Sequence, residues 1–341
     1  MIRRGIRAMV FGLALGVFGA PAAHAQSDEA AFFKGKTVRI IVGFSSGGGY
    51  DAYARMIGPY MSQRLGATVI VENMPGAGSM TAMNLLYSAE PDGLRMMLAN
   101  GTAAALSQIL DSSAARFELD KFGHLGTVSA SPWVWLVHKD NKEKTPADFI
   151  KAGLTINWSA TGPIDGLSDG AQITCAVVNL KCKIVMGYKG TNEAGLAVTR
   201  KEMDAVFLSD TSANNYVRAN DLHAVANMSR VRSRFFPDVP TIYEAVKLTP
   251  DEEWLMDFHG SVQDLGRIMI VPPKMTQARL DYLRAMIKDA LADPQLVAEG
   301  EKSQRYVDFI DADKTMQLVK RSITNVTPIQ KKRIQTVLVT Q

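Results

Sequence analysis

Cysteine and histidine are scarce in this chain, and the scarcity removes whole classes of chemistry. Two cysteines in 341 residues can build neither a disulfide scaffold nor a four-thiolate zinc site. The five histidines, His24, His124, His138, His223 and His259, stand too far apart for metal-ligand spacing. Neither H-E-x-x-H nor the phosphate patterns G-x-G-x-x-G and G-x-x-x-x-G-K-[ST] occur. Catalysis as an exported hydrolase or phosphotransferase is therefore not expected, and neither a metal nor a cofactor is implied. Past residue 25 no segment approaches membrane-spanning length without charges. Internal repeats and low-complexity linkers are missing too. With 47% hydrophobic and 21% charged residues, the chain has the composition of a globular protein and not of a disordered one.

What is present begins with an export signal. Arg3, Arg4 and Arg7 precede an apolar run over 8–20, and Ala23-His24-Ala25 offers a small-x-small cleavage site. The run falls short of the roughly 20 residues a bilayer span needs. Residues 1–25 are thus expected to be cleaved after Ala25, leaving a free protein outside the cytoplasm. The formal charge of +4 invites a nucleic-acid reading. Those three arginines supply most of the excess, however, and the other basic residues are scattered, so no nucleic-acid partner is expected.

The remainder alternates strands and helices. A β-branched run over 37–44 stops at Ser45-Ser46-Gly47-Gly48-Gly49, and apolar residues then recur at helical spacing over 50–65. Gly66 ends that helix; a strand over 67–73, an apolar helix to 89 and a strand over 94–99 follow. Residues 127–138 read as one strand, on which Trp133 and Trp135 share a face that packs in the core or near a hinge. Thr145-Pro-Ala-Asp148 is a capping box with proline at the first helical position. Strands over 154–158, 183–187, 203–208 and 222–228, and helices over 166–178 and 274–292, continue the rhythm. This predicts an α/β protein with mostly parallel sheets flanked by helices. The length exceeds what one core supports, so two lobes are expected, sharing strands that cross between them. Residues 26–126 and 229–341 would form lobe I and residues 127–228 lobe II. Cys175 and Cys182, seven apart, leave a disulfide and two free thiols both open, since export permits the bond. Arg267, the one basic residue near a candidate hinge, reads as one half of a structural ion pair in preference to a ligand contact.

Ligands of open parallel sheets bind beyond the carboxyl ends of the strands. The loops there span 45–51, 73–79, 100–102, 159–166 and 209–212, rich in Gly, Ser, Thr and Asn and nearly free of Lys and Arg. Backbone N–H groups of Gly47-Gly48-Gly49 at a helix start favour an anion, although three glycines after a strand also make a plain turn.

The residues also carry a family resemblance. Val42-Gly-Phe-Ser-Ser-Gly-Gly-Gly-Tyr-Asp51 with Ala54-Arg55, then Val71-Glu-Asn-Met-Pro-Gly-Ala-Gly78 and Pro91-Asp-Gly93, resemble the solute-binding receptors of tripartite tricarboxylate transporters, the Bug proteins. The likeness continues through Gly187-Tyr-Lys-Gly190, Phe236-Pro-Asp-Val-Pro-Thr241, Val271-Pro-Pro273 and Ala290-Leu-Ala-Asp-Pro294. It implies a periplasmic, monomeric, two-lobed Venus-flytrap protein that closes on a small organic acid and hands it to integral membrane permease subunits. A ligand-sensing partner of a membrane signalling protein would need the same closed form. By the same resemblance, ligand contacts fall on Ser45, Ser46, Gly47, Gly48, Gly49 and Asp51, and on Ser159, Ala160, Thr161 and Gly162. Ser209 and Asp210 would contribute from across the cleft, with Ala77, Gly78 and Asn100 at neighbouring strand ends. In such receptors backbone N–H groups, hydroxyls and waters hold the carboxylate rather than an arginine clamp. The chain departs from the family pattern by reading Gly-Phe-Ser-Ser-Gly-Gly-Gly-Tyr where relatives read Pro-Phe-Pro-Pro-Gly-Gly, and by carrying Pro163-Ile-Asp165. Blander roles compete at several positions. Asp51 can cap its helix, Asp165 and Asp210 can be solvated acids or caps, and Asn100 can form a turn.

Overall fold

The computed structural model describes residues 28–338; the expected export signal lies outside them. Within these residues ten strands run in the order β1 (Thr37–Val42), β2 (Thr68–Asn73), β3 (Arg95–Asn100), β4 (Gly123–Ser129), β5 (Trp133–His138), β6 (Thr155–Ser159), β7 (Lys181–Val185), β8 (Ala205–Ser209), β9 (Leu222–Asn227) and β10 (Arg267–Val271). They form two five-stranded sheets, ordered β2-β1-β3-β10-β4 and β7-β6-β8-β5-β9. Four strands in each sheet are parallel, and one runs against them: β10 in the first and β5 in the second. The two lobes therefore repeat one topology, and each borrows its antiparallel strand from a segment that has just crossed from the other lobe.

The first crossing corrects the single strand read over 127–138. Residues 123–129 belong to one sheet and 133–138 to the other, with residues 130–132 between them. Pro132 lacks the N–H that a continuous ladder would require. The return crossing runs from β9 to β10 and contains a helix, Pro250–Gln263, that touches Gly101–Ile109 in the first lobe and Gly166–Val178 in the second. Thr249 and Glu252 form its capping box and Pro250 its first turn. Near the C-terminus, Ala312–Thr324 packs on β4 and Pro328–Leu338 returns to Gly166–Val178, so the lobes are tied a third time.

Strands enclosed by helices on both faces need apolar side chains throughout, and β8 and β10 are buried at every position. The second lobe is centred on aromatics. Trp158 stacks on Phe207 at 5.0 Å, and Trp135 packs against Trp158 and Phe149. Its outer edge is stapled by a disulfide between Cys175, late in the Gly166–Val178 helix, and Cys182 in β7. So short a loop stabilises by about 2 kcal/mol in the chain-entropy account. Double replacement of both cysteines by serine is expected to lower the urea midpoint accordingly. Two free thiols in the unfolded, unreduced protein would contradict the bond.

Candidate functional site

The carboxyl ends of β1, β3, β6 and β8 all face the gap between the lobes, and their loops meet there. The Ser45 amide donates to the Lys189 carbonyl at 2.8 Å across the gap, and the Gly49 amide reaches Thr191 Oγ1 at 3.4 Å. On the other side Gly162 lies so close to the 77–78 backbone that an added Cβ would stand 2.7 Å from the Gly78 nitrogen. The lobes are thus closed on one another. Clefts of about 240 and 260 Å³ flank the contact, one beside Gly47–Gly49 and Thr191, the other beside Gly76–Ser79 and Tyr188. A third cavity of about 10 Å³, enough for one water, is lined by Tyr50, Asn100, Trp133, Ser209, Gln263 and Arg267 among others.

The glycine turn after β1 opens the 17-residue helix Gly49–Leu65. Gly48 stands at its N-cap with no side-chain cap, so the first-turn N–H groups beyond Gly49, whose amide reaches Thr191 Oγ1, keep their donor capacity and the helix dipole points its positive end into the gap. Asp51 does not cap in the ordinary way. From the first turn it reaches back to the Gly47 amide at 2.9 Å and pairs with Arg55, which in turn holds Asn73. Burial pushes the Asp51 pKa up, but the hydrogen bonds from Arg55 and the Gly47 amide outweigh it and hold the carboxyl below its usual range. Its task is to fix the turn that aims the amides. The opposite turn is strained: Ala77 and Ser79 have φ of 48° and 83°, values that non-glycine residues rarely adopt.

Arg267, the first residue of β10, is 5% exposed. Its Nη1 donates to Ser129 Oγ at 3.1 Å and Ser131 Oγ at 3.3 Å, and its Nη2 to Ser209 Oγ at 3.1 Å. The guanidinium also lies 4.5 Å from the Tyr53 ring centre and 5.2 Å from that of Tyr50. Among the described residues no carboxylate comes within ion-pair distance of it. The ion pair read from the sequence is therefore absent, because the acids around the gap are held elsewhere. Asp210 accepts from Ser233 Oγ at 2.8 Å, and burial pushes its pKa up against the pull of that bond.

Asp165 caps the Gly166–Val178 helix through Ser168 and also accepts from the amides of Thr161 and Gly162 and from the Thr161 hydroxyl. Complete burial, with the Asp169 carboxylate beside it, pushes its pKa up to about 7. A raised folded-state value means that the folded protein holds this proton more tightly than the unfolded chain. Its stabilising contribution is present below about pH 4 and is lost as the pH rises to about 7. Compared with Asp165→Asn, the wild type is expected to lose about 3 kcal/mol of stability over that interval. Urea titrations at pH 4, 5, 6 and 7 measure it, and parallel profiles for the two proteins would contradict it.

The expected residues divide into two groups. Gly48, Gly49, Ala77, Gly78, Thr161, Gly162 and Ser209 converge on the contact between the lobes. Ser45 helps to close it, whereas Ser46 and Gly47 are exposed at its rim. Ser159 donates to the Ala194 carbonyl, the Ala160 amide binds the Val185 carbonyl, and Asn100 caps the helix that follows it; these bonds position loops. Gly43 to Gly47 spell G-x-S-x-G, the pattern of a nucleophile elbow. No His among the described residues hydrogen-bonds Ser45: His124 and His223 bind the carbonyls of Leu119 and Lys144, His138 accepts from the Asp140 amide, and His259 faces Asp169. Sequence reasoning missed Tyr50 and Gln263 as gap-lining residues, and it placed Arg267 near the hinge but favoured an ion pair for it over a ligand contact. A lone cation opening an otherwise apolar strand was the available signal for Arg267.

Residues 53–334 match the family described as the tripartite tricarboxylate transporter family receptor. A UPF0065 protein encoded in the ttuE-ttuC' intergenic region of Agrobacterium vitis is 28% identical over 280 residues, 80% of this chain and 76% of the relative. Among solved structures, the periplasmic binding protein BugD superposes with a TM-score of 0.74 at 20% identity, over 89% of this chain and 97% of its own. MatC from Rhodopseudomonas palustris, solved with bound malate, gives 0.73 at 22% identity, over 88% and 99%.

Proposed function

Because the chain belongs to the tripartite tricarboxylate transporter receptor family, we propose that it captures a small organic carboxylate in the periplasm and presents it, lobes closed, to the transporter's membrane permease subunits. One observation carries the anion preference. At the place where the two lobes meet, the uncapped first turn of the Gly49–Leu65 helix lies beside an arginine without a carboxylate partner. Both features favour negative charge, and the low-dielectric surroundings strengthen them. The malate in MatC supports a small acid as the class of ligand. Export follows from the basic, apolar and small-x-small run of residues 1–25, with Gln26 as the mature N-terminus. No described helix is long and apolar enough to cross a membrane, in keeping with a receptor that works beside its permease.

Calorimetry on the mature, ligand-stripped protein tests this reading, with malate, adipate, benzoate and glutamate as probes. Saturable binding of at least one acid is expected, with a matching rise in thermal midpoint. Binding of none of them would overturn it.

A further inference from the structure

Burying a guanidinium without a carboxylate partner is expensive, because lost hydration is not returned by neutral hydroxyls alone. Arg267 is in that position. All its side-chain partners are serine hydroxyls, two aromatic rings contribute a modest cation–π attraction, and its Nε–H is buried with no acceptor. Fold maintenance does not account for the arrangement, since an acid at one of the serine positions would have neutralised the charge. The three serines also come from different parts of the molecule: Ser129 from the end of β4, Ser131 from the first crossing and Ser209 from the end of β8. Arg267 itself stands where the return crossing ends and β10 begins. Its guanidinium thus stands where both crossings and both lobes converge.

What lies next to it has the same sign. A Cβ added at Gly49 would be 3.4 Å from Arg267 Nη2 and 2.9 Å from Ser212 Oγ, so the guanidinium faces the first turn of the Gly49–Leu65 helix. The partial positive charge of that helix start and the full charge of the arginine overlap in one small volume. The adjoining cavity of about 10 Å³ holds a water-sized group at most, so the lobes part to admit a ligand and the hydroxyls turn toward it.

We propose that Arg267 grips the ligand's carboxylate at the inner end of the cleft. The Nε and Nη2 edge takes the carboxylate in a bidentate pair, the first-turn amides of the Gly49 helix donate to its outward lone pairs, and Ser209 follows the second lobe as it closes. This rests on the receptor reading above and sharpens it: the chain selects acids by a side-chain cation, and the amide of the same acid is rejected because it leaves the guanidinium unpaired. Lys in place of Arg keeps the charge and loses the fork.

Calorimetry of wild type, Arg267→Met, Arg267→Lys and Ser209→Ala uses the acid that wild type binds best among malate, adipate, benzoate and glutamate, together with the corresponding amide. Removing one partner of a buried charge pair weakens binding by roughly 30-fold or more. Arg267→Met should show such a loss and prefer the acid to the amide no longer; Arg267→Lys should fall between, and Ser209→Ala should lose a few-fold. Circular dichroism checks that each variant folds. If Arg267→Met does not, the ¹⁵N-labelled wild type decides, its Arg267 Nε–H resonance being expected to move downfield at saturation. An Arg267→Met variant within threefold of wild type, or an unmoved resonance, would overturn the proposal while the receptor reading stands. Failure of wild type to bind any of the acids would overturn both.

Discussion

Gly162→Ala is expected to leave both lobes folded and yet weaken acid binding by about 100-fold. Gly162 has no unusual backbone angle, so alanine fits its own loop. The difficulty arises across the gap, where the added Cβ would meet the Gly78 nitrogen at 2.7 Å and the Ala77 carbonyl carbon and Gly78 Cα at 3.1 Å. Those are backbone atoms of a turn already strained at Ala77 and Ser79, so they yield poorly. An overpacked contact of this sort costs on the order of 3 kcal/mol. The closed form alone bears that cost, and an apparent affinity falls by the factor by which the competent state is depopulated; about 1.4 kcal/mol corresponds to each tenfold. Small-angle scattering should show no contraction of the variant when acid is added, with its ligand-free melting unchanged. Wild-type affinity together with wild-type contraction would show that the 77–79 and 160–165 loops do not meet in the bound form.

Gly266→Ala should instead damage the fold. Gly266 has φ of 56°, and its added Cβ would fall 2.2 Å from the Ser129 carbonyl oxygen and 2.8 Å from Ala130 Cα. Its own carbonyl accepts from the Gly101 amide at 3.0 Å, so the segment is held from both sides. The left-handed angle costs a non-glycine residue about 1 kcal/mol, and the collision with fixed backbone adds roughly 1–3 kcal/mol. A loss of about 3 kcal/mol in urea unfolding is expected, with a visible change in the spacing of the two crossings. Stability within about 1 kcal/mol of wild type would mean that the crossings slide past one another more freely than their hydrogen bonds imply. Set side by side, the two glycines separate the two demands on this molecule: one contact belongs to closing, the other to being folded at all.

Much of the fold was legible because parallel strands announce themselves. β1, β2, β3, β6 and β8 are β-branched or apolar runs that end in glycine, serine or asparagine, and the Gly166–Val178 helix was legible to the residue. The division between β4 and β5 was not. Residues 127–138 are continuously strand-forming, and only Pro132 marks the change of sheet; a local pattern cannot tell a strand from two strands in different lobes. The site was half legible for the same reason. Glycine and hydroxyl loops show in the composition, but Arg267 acquires meaning only through Ser209, 58 positions away, and, among the described residues, through the lack of an acid within ion-pair distance, Asp210 acting on it only from further off. That is a property of the folded arrangement. The positive formal charge of the sequence is a poor guide to the proposed anion site, since Arg3, Arg4 and Arg7 fall in the expected export segment while one buried cation and a helix start face the gap.

The most direct measurement is a crystal structure of the mature protein grown with the acid that binds it best in calorimetry. It should show a carboxylate group between the lobes, bonded to the first-turn amides of the Gly49–Leu65 helix and paired with Arg267. An acid bound outside the gap, or bound there with its carboxylate turned away from both, would contradict the assignment of this cleft as the place where the receptor reads negative charge.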